Sequence, residues 1–192
     1  RRADEVWVAV ALMSYDGLHF ILNNLKSACR QNYLIGIDLP TDPDALSILN
    51  ELQLKNDLNV RIHTNKESFH PKLYLIRSKN KFTGFVGSAN CTNGGLFNNV
   101  ELTTLVTDQA VCIQLTKWFE HYFMAGMPLT TKFIEQYETE YLKRKERKKK
   151  DEKSAKKEKK TLTQEMDATF SEKNKFIKVL KEYRKEDDYQ EV

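Results

Sequence analysis

The sequence is short of paired cysteines, long apolar runs and metal-ligand clusters, and each shortage closes off a class of protein. Cys29, Cys91 and Cys112 are odd in number, far apart and without a C-x-x-C pair, so neither a disulfide framework nor a zinc site is indicated. A reducing, cytoplasmic setting is the expectation. No stretch approaches the roughly 18 apolar residues of a membrane span, and the opening RRADEVWVAVAL is too short and poorly flanked for a secretory signal. A soluble protein with no membrane partner is expected. No compact Asp/Glu cluster or histidine set has metal-ligand spacing, so neither a metal nor another cofactor is expected. No internal repeat is found, and Arg1 stands where an initiator Met would, as in an excised or processed piece.

The 192 residues suffice for one domain with a sizeable core plus an appendage. Aromatic and aliphatic residues concentrate before about residue 140, and Lys and Glu dominate after it. The net charge of +4 is unevenly spread: residues 141 to 160 hold twelve Lys or Arg against four Asp or Glu, a local balance of +8, which leaves −4 for the rest. A mildly acidic domain with a basic arm binds polyanions through the arm first, by counterion release and long-range attraction, and Lys148, Lys149 and Lys150 are the candidate phosphate contacts. A solvated, helix-prone linker kept soluble by its charges is the other reading of that run.

Hydrophobic periodicity divides the first part into alternating elements. VWVAVAL (6–12) has buried-strand length, GLHFILNNLKSACRQ (17–31) carries helical spacing, and YLIGIDL (33–39) is again strand-like. TDPDALSILNELQ (41–53) opens with Thr41 and Asp42 as N-cap candidates and Pro43 in the first turn. Four short strands are then expected at 59–63, 69–76, 82–87 and 101–107, followed by an amphipathic helix over 109–124 that closes near Gly126 and Pro128. Such an order predicts an α/β fold with a mixed sheet flanked by helices. Three regions are expected: a compact domain over 1–128, a helix running into the basic arm over 129–160, and a short helical segment over 161–192 containing FIKVLKEY (176–183), which packs back, joins a partner or leads into a further domain.

Chemistry concentrates in FHPKLYLIRSKNKFTGFVGSANCTNGG (69–95). Residues two apart on a strand share a face, so His70 and Lys72 are expected to project together. Ser88 and Asn90 end the next strand among small residues that permit a turn and close approach by an anion. Imidazole is nucleophilic and largely neutral near pH 7, an ammonium neutralises developing charge, and hydroxyl and amide groups donate to phosphoryl oxygens. Glu101, opening the following strand, is placed to orient the imidazole. His19 and His121 fall in helices and read as structural or surface residues, and His63, with Lys66 three positions on, has a different spacing.

H-x-K at His70 and Lys72, G-S-x-N at Gly87, Ser88 and Asn90, and the downstream Glu101 together resemble the phospholipase D superfamily, over most of residues 5 to 125. One position departs from its long motif, which has Asp five residues after the lysine where this chain has Arg77. That departure is tolerated in the nuclease branch, and the chain resembles the restriction endonucleases of that branch and the similar domains fused to helicases. The resemblance implies a phospholipase D-like sheet fold and a catalytic set of His70, Lys72, Ser88, Asn90 and Glu101, with Gly87 on the substrate side. It implies no metal: one histidine attacks phosphorus to form a phosphohistidine, while a second protonates the leaving oxygen. With a single H-x-K unit per chain, a homodimer with the site on its two-fold axis is implied. The function expected is a metal-independent nuclease of restriction or phage-defence type, acting on DNA more readily than RNA, with a helicase or specificity domain as a further partner. A phospholipase or cardiolipin-type hydrolase, and a non-catalytic nucleic-acid-binding module of the same fold, are the alternatives.

Overall fold

The computed structural model describes residues 3–146, within a chain that divides into a compact unit, Arg1–Arg144, and a second unit, Lys145–Val192. Lys148, Lys149, Lys150 and the FIKVLKEY segment lie outside the described residues.

Strand β1 (Glu5–Val10) is buried along its whole length, which requires cover on both faces and explains its unbroken apolar run. It pairs in parallel with β2 (Arg30–Gly36), which pairs in parallel with β3 (Asn59–His63). On its other side β1 meets β4 (Lys72–Ser78) in antiparallel, and β5 (Lys81–Gly87) and β6 (Thr103–Val106) extend that wing antiparallel. A two-residue strand, β7 (Met127–Pro128), closes the far side against Arg61 and Ile62. The mixed seven-stranded sheet therefore runs β6-β5-β4-β1-β2-β3-β7.

Alternate residues of β1 enter two cores. Val8 and Val10 pack with α1 (Tyr15–Asn24), α2 (Pro43–Leu54) and a helix α4 over 131–146, through Leu18, Leu46, Leu49, Ile134 and Tyr137. Trp7 and Ala9 pack with α3 (Gln109–Ala125), through Cys112 and Phe119. Side chains set the helix starts. Ser14 accepts from the Gly17 amide, Asp42 from Asp44 with Pro43 in the first turn, and Asp108 from Val111. All three cysteines are buried and free, and burial pushes the Cys91 thiol up to about 12.

Several boundaries differ from the periodicity. Helix α1 stops at Asn24, not Gln31, and β2 begins at Arg30, because Gln31 and Asn32 are buried strand residues whose polar groups are satisfied, the one by a near neighbour and the other over long range. Tyr33 donates to Gln31 at 2.7 Å, and Asn32 donates to Glu5 at 3.1 Å. The strand expected from Phe69 starts at Lys72, so His70 and Pro71 belong to its approach. A single π-helical turn, Gly94–Asn98, occupies what reads as a loop.

Candidate active site

The site forms where β4 and β5 emerge beside the β1–α1 connection. Lys72 is 6% exposed, pairs in register with Val10, and projects into the face shared with α1. His70 is exposed before the strand begins, yet its ring stays with the lysine: Lys72 Nζ lies 2.7 Å from Nδ1 and 3.1 Å from Nε2, and donates at 3.0 Å to the His70 carbonyl. An ammonium donating to imidazole needs a ring nitrogen with a free lone pair, which a nucleophile needs too. Burial pushes the Lys72 amine below its ordinary value, and the Glu101 carboxylate opposes that shift.

The second half of the motif is built on close backbone contacts. A Cβ at Gly87 would collide with the Leu102 carbonyl oxygen, so that glycine lets β5 and the start of β6 touch. Ser88 is held at that crossing: its amide donates to Leu102 at 3.0 Å, and its hydroxyl accepts from the Leu102 amide at 3.0 Å. The same hydroxyl donates to Glu101 Oε2, while Asn99 donates to Glu101 Oε1 at 3.1 Å. Hydrogen bonds from Ser88 and Asn99 hold the Glu101 carboxyl below its ordinary range, and the Lys72 ammonium adds to this. The acid expected to orient the imidazole thus has Ser88 and Asn99 as its hydrogen-bond partners, because its strand starts late and the preceding residues fold back on Ser88. Tyr74 donates at 3.0 Å to the Ala89 carbonyl, and the Asn90 side-chain oxygen is buried without a partner. A buried acceptor left without a donor is costly unless a ligand or a second molecule completes it.

The chain therefore brings His70 to Lys72 and Ser88 to Glu101, and sets Lys72 and Glu101 in each other's field. Asn99 was not singled out by sequence, where an NN pair reads as turn. Arg77, at the opposite end of β4, pairs with Glu5 at 2.5 Å, five residues from Lys72. Phe69, Trp118, Tyr122 and the buried His63 form a ring-stacked cluster in the core beside the site, with His63 and Phe69 centroids 4.5 Å apart. Among the described residues, no helix is long and apolar enough to cross a membrane, and no group of three or more His, Cys, Asp or Glu is arranged to hold a metal ion.

Comparison with known proteins adds a family. No curated protein matches the sequence. Nuc from Salmonella typhimurium, described as a phospholipase D family member, has a similar structure: 15% identity and a TM-score of 0.54 over 66% of this chain and 82% of that one. NucT from Helicobacter pylori matches at 12% identity and a TM-score of 0.45, over 66% of this chain and 83% of that one. A family model described as "Cardiolipin synthase, PLD-like domain" matches residues 4–123. That match covers more than half of the chain and contains both halves of the motif, so the chain belongs to the family of phospholipase D-like domains.

Proposed function

We propose that this chain is a phosphodiesterase that cleaves nucleic acid, DNA in preference to RNA, through a covalent phosphohistidine on His70. The observation that carries the reading is the exposed His70 ring with a nitrogen 2.7 Å from the buried Lys72 ammonium, while the Glu101 carboxylate, hydrogen-bonded by Ser88, lies in the field of that ammonium. The imidazole attacks phosphorus as the P–O bond to the leaving oxygen breaks, and a second histidine donates the proton that oxygen needs. Water then attacks phosphorus, gives its proton to the second histidine, and breaks the P–N bond. Lys72 neutralises charge on the phosphoryl group, while Ser88 and Asn90 donate to its oxygens, with Gly87 leaving room for the backbone. Lys148, Lys149 and Lys150 add sequence-independent affinity for the polyanion.

The second histidine is the partner's His70 in a homodimer. Support comes from the apolar side chains around the motif: Leu105 is 57% exposed, Leu102 81% and Phe97 58%, an arrangement that a lone soluble chain avoids and an interface uses. The restriction or phage-defence setting rests on the single motif unit and on Arg77 in place of the long motif's acid.

Plasmid cleavage in excess EDTA, by wild type and by His70→Ala, tests the reading. Wild-type cleavage with an inert variant is expected. Activity lost on chelation overturns the metal-free step, and an active variant removes His70 from the chemistry. DNA binding unchanged in His70→Ala, with no cleavage by either protein, identifies a binding module instead. Two observations favour a lipid substrate: the matched family's description names cardiolipin synthase, and apolar Val100 and Leu102 flank Glu101 on the surface. Headgroup release from anionic liposomes without nucleic-acid cleavage decides for it.

A further inference from the structure

The two halves of the motif, His70–Lys72 at the start of β4 and Ser88–Asn90 just past the end of β5, are both hydrogen-bonded to the β1–α1 connection. The Ala11 amide donates at 3.0 Å to the carbonyl of Pro71, the residue between His70 and Lys72, and the Ser14 amide donates at 2.9 Å to Cys91, the residue after Asn90. Met13 forms a parallel bridge with Cys91 between them. A Cβ on Gly17 would collide with the Cys91 carbonyl, so the start of α1 rests directly on that segment. Four residues of backbone thus span both catalytic halves.

This span is itself clamped by the β2–α2 loop. Thr41 is fully buried; its hydroxyl donates to the Gly36 carbonyl at 2.9 Å and accepts from the Met13 amide at 3.2 Å. The Asp42 amide returns to the Met13 carbonyl at 2.8 Å. From the same loop, Asp38 accepts at 2.8 Å from the amide of Phe69, the residue before His70. Helix α4 braces the loop from outside: Tyr137 donates to the Thr41 carbonyl at 2.9 Å, and Arg144 to the Ile37 carbonyl at 2.6 Å. None of these groups belongs to the candidate catalytic set, and hydrogen bonds alone would mean only stability. Their ends, however, converge on the residues flanking His70, Lys72 and Asn90.

We propose that the β2–α2 loop positions the site, with Thr41 setting the separation of the two catalytic halves through Met13 and Asp38 fixing the backbone that enters His70. The inference rests on the phosphodiesterase reading for its kinetic test and on geometry alone for its second. Thr41→Val keeps shape and loses the hydroxyl; Thr41→Ser keeps the hydroxyl and loses a methyl. Misplacing a reacting group by about 1 Å costs up to about a hundredfold in rate, so Thr41→Val is expected to lower kcat about tenfold or more at unchanged KM. Thr41→Ser is expected to restore kcat even where it melts lower than wild type. Asp38→Ala and Asp38→Asn repeat the contrast, since the Asn side-chain oxygen still accepts from Phe69. If kcat follows melting temperature across the four variants, the loop is merely structural and the proposal falls. Amide hydrogen exchange in the full chain reads the same device without substrate: Thr41→Val should speed exchange at Ala11 and Ser14, and Asp38→Ala at Phe69. Unchanged exchange at those amides overturns the positioning role even if the protein proves to be no nuclease. An inactive wild type with the expected exchange overturns the function and leaves the device standing.

Discussion

The two wings of the sheet are built to different standards. In the parallel wing every residue of β1 is buried, and so are all of β2 after Arg30. In the antiparallel wing Gly84 is the one buried residue of β5, and β6 has none. Helices cover both faces of the first, whereas the second has α3 on one face and an open, partly apolar surface on the other, lined by Tyr74, Ile76, Phe85 and Phe97. The candidate catalytic groups all sit on the less covered wing or at its seam with β1. A well-covered half thus holds the half that carries the candidate groups and lacks cover, and cover there would come from substrate or from a second copy.

The largest effect expected from breaking this contrast is chemical. His70→Ala should lower single-turnover cleavage about a thousandfold while leaving the melting temperature unchanged, because the ring is exposed. A variant that unfolds early and still cleaves would make His70 part of the scaffold. Next comes packing. Ile35→Ala, at a fully buried position of β2, should cost about 2–5 kcal/mol in urea unfolding, and Leu105→Ala, in exposed β6, less than about 0.5 kcal/mol. Equal losses would abolish the distinction between the wings. Association is third: if the open wing is a self-interface, Leu105→Glu should raise the dimer dissociation constant about tenfold or more, roughly 1.4 kcal/mol, in sedimentation velocity, and specific activity should fall with it on dilution.

The smallest effect concerns acid. Hydrogen bonds from Ser88 and Asn99 lower the Glu101 carboxyl below its ordinary 4.5. The stability it contributes is therefore present above that value and lost as pH falls through the lower, folded-state value. Melting temperatures of wild type and Glu101→Gln should differ near neutrality and converge in acid; a gap that widens on acidification would reverse the sign.

The alternation of strands and helices was legible because most elements carry their own pattern. Helix α3 shows its period and its Asp108 cap locally, and β1 its unbroken apolar run. The H-x-K and G-S-x-N residues could be found because both lie within a short stretch and their types are unusual together. What was not legible depends on partners far along the chain. Asn32 reads as loop until Glu5, 27 residues away, satisfies its amide. Thr41 looks like a cap, yet its hydroxyl serves Met13, 28 residues away, and Asp38 finds Phe69 across 31 residues. Local pattern cannot report such bonds, since nothing near these residues differs from an ordinary turn.

The Arg77–Glu5 pair limits what position 77 can hold. Glu5 has a side chain only 10% exposed, and it also accepts from Asn32. Arg77→Asp would set two carboxylates against each other at a half-closed strand end, where like charges repel strongly. An acid at position 77 therefore suits this seam only if Glu5 is neutral or replaced as well, so the two positions act as one unit across β1 and β4.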